Sequence, residues 1–237
     1  MWQRVVATLL VLLQHTTAYL GPKMGVQNQC DDGKTNLFVD WNPEDFSAFT
    51  CTGSEFPVRQ DVISELFELR SQNASFDPKT DVVYHKCMSE TIQYEAAPPL
   101  RGNHRPNWAR YGEYLYVPEQ RWLHNLEHGA IILLYHPCVN QAELNRLRSI
   151  VANCLYRHVI TPYNKLSETR PLALVSWGSK LEMNFVDVQT AVSFIKTHAR
   201  IAPEDISRDG IYDDYLIHAA RIVSDEMDSG ICSSFIQ

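Results

Sequence analysis

The chain has 237 residues, of which 45% are hydrophobic, 11% aromatic and 21% charged. This length fits one or two compact domains, and the apolar fraction suffices for a buried core, which excludes the disordered, fibrous and low-complexity classes. The formal net charge of −7 and the lack of a basic run exclude nucleic acid as a partner, because nothing would neutralise the phosphates.

Residues 1–18 predict a secretory signal peptide. Arg4 supplies the positive charge, residues 5–13 are apolar, and Thr16-Thr17-Ala18 offers small residues for cleavage. The apolar stretch is too short to cross a hydrocarbon core of about 30 Å, and no later window is both long and apolar enough. We therefore expect a mature chain without a transmembrane segment, exported through the secretory pathway to the extracellular space.

Six cysteines remain after the predicted cleavage, and an even number in an exported chain predicts three disulfides. They are Cys30, Cys51, Cys87, Cys138, Cys154 and Cys232. A helix predicted between Cys138 and Cys154 would be about 20 Å long, so these two cannot pair, while the other pairings stay open. No Cys-x-x-Cys spacing of a redox enzyme or zinc ribbon occurs, and Asn73 begins a glycosylation sequon.

Residues 19–80 predict an N-terminal arm and a short helix. Residues 21–58 are irregular and rich in aromatic side chains, which favours an extended arm held by disulfides. The apolar spacing over residues 61–71 predicts an amphipathic helix. The alternation over residues 81–95 then predicts one or two strands.

Residues 96–120 show neither a helical nor a strand period. A loop of this length is uncommon unless it is functional or disordered, and its large aromatic side chains argue against disorder. They are Trp108, Tyr111, Tyr114 and Tyr116. We therefore expect an ordered aromatic loop that lies over the core.

Residues 81–237 predict a single α/β domain, a small mixed sheet with packed helices, stabilised by disulfides. Helices are predicted over residues 121–129, 140–153, 187–199 and 212–227, and strands over 130–136, 158–163, 172–177 and 180–185. Asn140 caps the second helix, with Glu143 three residues later as in a capping box. Pro162 favours a position near the sheet edge for its strand. The order of elements in the C-terminal half is similar to that of thioredoxin-like folds.

The candidate site lies in the motif His124-Asn125-Leu126-Glu127-His128. On a helix, His124 and His128 lie on one face within reach of a single metal ion. Glu127 is close enough to orient a ligand or hold a water molecule, and the hypothesis places His104 of the aromatic loop over the same position.

Three interpretations of this motif stay open. In the first, His104, His124 and His128 bind zinc or copper without catalysis. In the second, the same side chains form a metal-free hydrogen-bonded cluster, because buried polar groups need partners with or without an ion. In the third, the protein is a metal-dependent hydrolase in which Glu127 acts as the base, since His-x-x-Glu-His is also a zinc-protease motif.

The remaining candidates are weaker. His136 would lie about 23 Å from the end of the motif along the intervening strand, too far to share the ion. Cys138 fits a disulfide better than a nucleophile, although a thiol oxidoreductase with free thiols is a further alternative. The isolated histidines are predicted to be surface or hydrogen-bonded core residues: His85, His158, His198 and His218.

Several motifs occur in combination over about residues 80–200. They are Pro98-Pro99, Gly102-x-His104, Trp108, Tyr111-Gly112-x-Tyr114, His124-Asn125-Leu126-Glu127-His128-Gly129, Tyr135-His136-Pro137, Thr161-Pro162-Tyr163 and Ala173-Leu174-Val175-Ser176-Trp177-Gly178. This combination resembles the family of tumour protein p53-inducible protein 13, which shares a domain of unknown function with many bacterial membrane-associated proteins.

The resemblance implies a non-enzymatic tumour suppressor that restrains cell growth through an unknown protein partner and is associated with the plasma membrane and cytoplasm. It assigns no reaction, and it carries over His104, His124, Glu127, His128 and Gly129 as motif residues. The animal family member looks like a single-pass membrane protein with a hydrophobic segment near its end. The present sequence lacks such a segment after residue 200, so we expect a secreted relative or a truncated form.

Overall fold

A computed structural model of the chain describes residues 24–26 and 30–235, and these residues form a mixed α/β fold around a seven-stranded sheet. The predicted signal peptide, residues 1–18, lies outside the described residues. Within the described part of the chain, no helix has the length and apolar character needed to cross a membrane.

The sheet strands are β1 Glu65–Glu68, β2 Gly112–Tyr114, β3 Ile131–Tyr135, β4 His158–Pro162, β5 Leu172–Ser176, β6 Ser179–Met183 and β7 Leu216–Ala219. Their order across the sheet is β1-β6-β5-β3-β4-β2-β7. Strand β3 pairs in parallel with β4 and antiparallel with β5, so it lies at the centre. A strand covered on both faces is apolar at every position, which explains the run Ile-Ile-Leu-Leu.

The helices are α1 Leu69–Gln72, α2 Glu119–Glu127, α3 Gln141–Cys154 and α4 Val188–His198. Ile131 and Leu133 of β3 pack against α3 and α4, and Ile132 and Leu134 face α2 and the aromatic loop. The sheet therefore separates two cores, and α2, which carries the candidate motif, belongs to the second core.

The expected caps of α3 and α4 are present. The Asn140 side chain accepts the backbone N–H groups of Ala142 and Glu143, and the Asp187 side chain accepts that of Thr190. The Glu143 carboxylate accepts the Val186 N–H at 2.8 Å. That bond ties the start of α3 to the segment that precedes α4.

The two outermost strands correct two helix predictions. The helix expected over residues 61–71 was wrong, because residues 65–68 form β1, which pairs antiparallel with β6, and only one helical turn, α1, follows. The helix expected over residues 212–227 was also wrong, because residues 216–219 form β7 and pair with β2. In both places the open edge of a sheet supplies backbone hydrogen bonds that local sequence spacing does not reveal.

Two strand predictions are corrected as well. Residues 81–95 form no strand of the sheet, and His85 forms only an isolated bridge with His104. Strand β4 is not near an edge, because it lies between β3 and β2. Pro162 is tolerated there because it is the last residue of the strand.

All six cysteines are paired, as Cys30–Cys87, Cys51–Cys138 and Cys154–Cys232. The expected three disulfides are therefore confirmed, as is the exclusion of a Cys138–Cys154 bond. The first two bonds join the N-terminal arm to the domain. None of the six is a free thiol.

The expectation of an ordered aromatic loop is confirmed, but residues 112–114 within it form strand β2, because they pair with β4 and β7. Trp108, Tyr111 and Tyr114 are fully buried, and the two tyrosines belong to the second core. Tyr116 is partly buried, with its ring 4.7 Å from Trp41 and 6.5 Å from Phe49 of the arm, measured between centroids. The loop thus lies between the sheet and the arm, directly beside α2.

Candidate metal centre

Helix α2 presents the candidate motif to the protein interior. Residues 120–127 are all buried, including the polar side chains of His124 and Glu127. The helix ends at Glu127, and Gly129 has a φ of +81°, which turns the chain into β3. A Cβ atom on Gly129 would lie 2.7 Å from the Arg200 Cα, so only glycine allows the segment around residue 200 to approach so closely.

His104 and His85 reach the same place from two extended segments. The Lys86 N–H donates to the His104 carbonyl at 2.8 Å, and the His104 N–H donates to the Tyr84 carbonyl at 3.3 Å. These bonds align the two segments as an isolated parallel bridge between His85 and His104. The Cys30–Cys87 disulfide, two residues beyond His85, fastens the outer segment to the arm.

Three imidazoles and one carboxylate converge at this point. Oε2 of Glu127 lies 3.0 Å from Nε2 of His104, 3.3 Å from that of His85 and 3.8 Å from that of His124. The Nε2 atoms of His104 and His85 are 3.1 Å apart. All four candidate ligand atoms lie within 4.8 Å of one another, and all four residues are buried. We call His85, His104, His124 and Glu127 the three-histidine cluster.

Backbone carbonyls determine which nitrogen of two imidazoles faces the cluster. Nδ1 of His104 donates to the Gly102 carbonyl at 2.8 Å, and Nδ1 of His124 donates to the Arg105 carbonyl at 2.6 Å. A neutral imidazole whose Nδ1 carries the proton has its lone pair on Nε2. Both rings therefore direct a lone pair at the common point, which is how proteins orient histidine ligands of metals.

Residues 85–210 match a family model described as a protein of unknown function, DUF3105. This match covers more than half of the 237-residue chain. The chain belongs to the DUF3105 family. The match begins at His85 and spans every member of the three-histidine cluster. No curated protein and no solved structure gives a significant match, so the likeness of the C-terminal half to thioredoxin stays a prediction.

Burial favours the neutral form of His124 and His128. Burial, together with the neighbouring imidazoles, holds the pKa of His124 well below its usual value. Burial also lowers the pKa of His128, and the Glu204 carboxylate partly opposes this effect. Desolvation alone would raise the pKa of Glu127, but the close approach of the His104 and His85 imidazoles outweighs it and lowers the pKa. At neutral pH the Glu127 carboxylate is therefore ionised, and His124 and His128 are uncharged.

Two buried ion pairs connect the arm to the site of the DUF3105 domain. The Arg105 guanidinium pairs with Asp40, and that of Arg121 pairs with Asp31; all four side chains are at most 1% exposed. The Arg105 carbonyl is the acceptor for His124, and Arg121 lies one turn before His124 on α2. The arm thus holds both segments that bring His104 and His124 together.

The structure places each sequence-predicted site residue. His104, His124 and Glu127 meet as expected, although Glu127 lies among the imidazoles rather than beside them. Nε2 of His128 is 3.2 Å from that of His124, and His128 belongs with Glu127 and Glu204 to an adjacent group. Trp108 of the aromatic loop packs on both helix histidines, with centroid distances of 4.8 and 4.4 Å.

Sequence reasoning missed two residues of the site. His85 is buried and hydrogen-bonded, as predicted for a core histidine, but its place in the site was not identified because its partner His104 lies 19 residues away in another segment. Glu204 was not identified at all, since it lies 76 residues after His128 in a segment without a regular period. Neither residue has a local sequence signal. Among the residues that the structure describes, His158 is the other buried histidine; its Nδ1 donates to the Leu155 carbonyl at 2.8 Å, outside both groups.

Proposed function

We propose that this DUF3105 protein is an exported, non-enzymatic domain that binds a zinc ion through His85, His104, His124 and Glu127. The observation that carries the proposal is the convergence of these four donor atoms. Ligands at about 2.0–2.1 Å from a tetrahedral zinc ion lie about 3.3 Å from one another. The measured separations between the donor atoms are 3.0, 3.1, 3.3 and 3.8 Å.

The donor set also fits the chemistry of the ion. Imidazole nitrogens bind zinc, copper, iron and nickel well, and a single carboxylate adds one negative charge without making the site a calcium or magnesium site. The carbonyl groups that accept hydrogen bonds from Nδ1 of His104 and of His124 orient both Nε2 lone pairs toward the site even without a bound ion. Four protein ligands that complete a tetrahedron favour zinc over copper(II), which prefers tetragonal geometry.

Burial supports a binding role over a hydrolytic one. A catalytic zinc keeps an open coordination position for water, whereas a structural zinc has four protein ligands. The side chains of the four donors are at most 7% exposed. A hydrolase would also need Glu127 to be free to activate water. However, the distances from its Oε2 atom to the imidazole nitrogens are those between ligands of the same ion. We therefore favour the non-enzymatic function.

The remaining parts of the proposal have separate support. Export is supported by the three disulfides, which persist in oxidising compartments, and by the predicted signal peptide. Glycosylation is supported by the exposure of Asn73. Membership of the p53-inducible protein 13 family, control of cell growth through a protein partner and association with a membrane are supported by the motif resemblance.

The test is the zinc content of the secreted full-length chain, measured by mass spectrometry after gel filtration. We expect one tightly bound ion in the wild type and none in His104→Gln. His158→Gln is the matched control, because it removes an equally buried imidazole outside the site, and it should retain the ion. A zinc-free wild type whose melting temperature is unaffected by added zinc would contradict the proposal and favour the metal-free cluster.

A further inference from the structure

A second group of possible ligands lies directly beside the three-histidine cluster. Nε2 of His128 is 3.0 Å from Oε2 of Glu204, and donor atoms of Glu127, His128 and Glu204 lie within 4.8 Å of one another. Glu127 belongs to both groups. The Nε2 atoms of His124 and His128 are 3.2 Å apart, so the two groups meet along one face of α2.

Glu204 is held in place by its backbone. Its N–H donates to the Glu127 carbonyl at 3.0 Å, and the Arg200 N–H donates to the Gly129 carbonyl at 2.9 Å. The next residue, Asp205, pairs with Arg157 and Arg200. The segment that carries Glu204 is thus tied to the end of α2 at several points, which makes its carboxylate a positioned group.

The arginine side chains near Glu204 are already paired with aspartate carboxylates. The Arg157 guanidinium contacts the His128 carbonyl at 3.3 Å, but it pairs with both Asp205 and Asp228. In contrast, Oε2 of Glu204 is a buried oxygen that no aligned hydrogen bond reaches from the described residues. A cation between this oxygen and Nε2 of His128 would satisfy both atoms.

We propose that Glu127, His128 and Glu204 bind a second divalent transition-metal ion, with the Glu127 carboxylate bridging the two ions. This inference rests on the proposed function, because it assumes an ion in the three-histidine cluster. Two-metal centres place their ions about 3.5–4 Å apart. The shared carboxylate and the 3.2 Å contact between ligands of the two ions fit such a separation.

The second site differs from the first in its access to solvent. Three protein ligands leave one tetrahedral position open, and the Glu204 side chain is 33% exposed. A water molecule or a small anion would occupy that position. The centre would therefore combine an enclosed ion with one that binds an exogenous ligand.

The second site is also the weaker one. Nδ1 of His128 is buried and has no hydrogen-bond acceptor among the described residues, whereas Nδ1 of His104 and of His124 each has a carbonyl. Loss of such an orienting partner costs about 10–100-fold in metal affinity. We expect the second ion to bind with an affinity lower by that factor.

Equilibrium dialysis of the full chain against buffered zinc, with metal analysis, tests this inference. We expect two ions per chain at saturation in the wild type. Glu204→Gln should bind one ion with the tight affinity unchanged, and the control Glu168→Gln, which changes an exposed carboxylate, should bind two. Circular dichroism checks that each variant is folded.

The outcomes separate the two proposals. A wild type that saturates at one ion, lost in His104→Gln, overturns the second site and leaves the proposed function intact. Two ions retained in Glu204→Gln also overturn the second site. A wild type that binds no zinc overturns both proposals.

Discussion

The ion pair between Asp31 and Arg121 connects the N-terminal arm to the helix that carries the candidate metal centre. Both side chains are fully buried, and the two guanidinium nitrogens donate to the two carboxylate oxygens at 2.6 and 2.9 Å. The substitution Asp31→Asn preserves the size of the side chain but leaves the Arg121 charge buried without a counter-charge. Breaking a buried pair in this way costs about 3–5 kcal/mol.

This cost converts into a measurable change in melting temperature. For a chain of about 150–250 residues, each kcal/mol of lost stability lowers the melting temperature by about 2–4 °C. Asp31→Asn should therefore lower it by about 6–20 °C, measured by circular dichroism at 222 nm under identical buffer and zinc conditions.

The exposed pair between Arg59 and Asp61 provides the matched control. Its side chains are 50% and 73% exposed, so solvent already screens both charges and Asp61→Asn should leave the melting temperature unchanged. If Asp31→Asn shifted the melting temperature no more than Asp61→Asn, the buried pair would not hold the arm, and the reasoning would be refuted.

Two further predictions concern the disulfides and the buried histidines. The double substitution of Cys30 and Cys87 by alanine removes a bond between residues 57 apart and should lower the free energy of unfolding by about 4 kcal/mol. Zinc affinity should fall as well, because the bond fastens the segment of His85. In zinc-free protein, burial lowers the pKa values of His124, His128 and His158, so the unfolded chain binds more protons. The free energy of unfolding, measured with urea, should therefore fall as the pH decreases below 6.5. Each of these histidines should contribute a decrease of up to about 1.4 kcal/mol per pH unit.

Each of these predictions has a control within the chain. Alanine substitution of Cys51 and Cys138 removes a bond between residues 87 apart, so it should cost similar stability but leave the zinc affinity intact. Equal zinc loss in the two double variants would contradict the role given to the first bond. His158→Gln should reduce the pH dependence of the free energy of unfolding by the contribution of one histidine. An unchanged dependence would show that His158 does not titrate as argued.

Elements whose residues pack locally could be predicted from the sequence. The helices α2, α3 and α4 and the strands β3 to β6 each show a regular apolar period or a capping residue within their own length. Asn140 and Asp187 mark helix starts because their side chains accept backbone N–H groups only two or three residues away. The motif around His124 was visible for the same reason, since residues four apart on a helix share a face.

The sequence by itself thus determined the mixed α/β class, the paired cysteines and the half of the site that lies on α2. Only the tertiary structure decided the edge strands β1 and β7, the disulfide pairing, and the arrival of His85 and Glu204 beside that helix. These features depend on backbone hydrogen bonds and close approaches between segments far apart in the chain, such as the bridge from His85 to His104 and the contact of Gly129 with residue 200. The local sequence pattern does not predict these features, because the contacts that stabilise them form only when folding brings distant segments together.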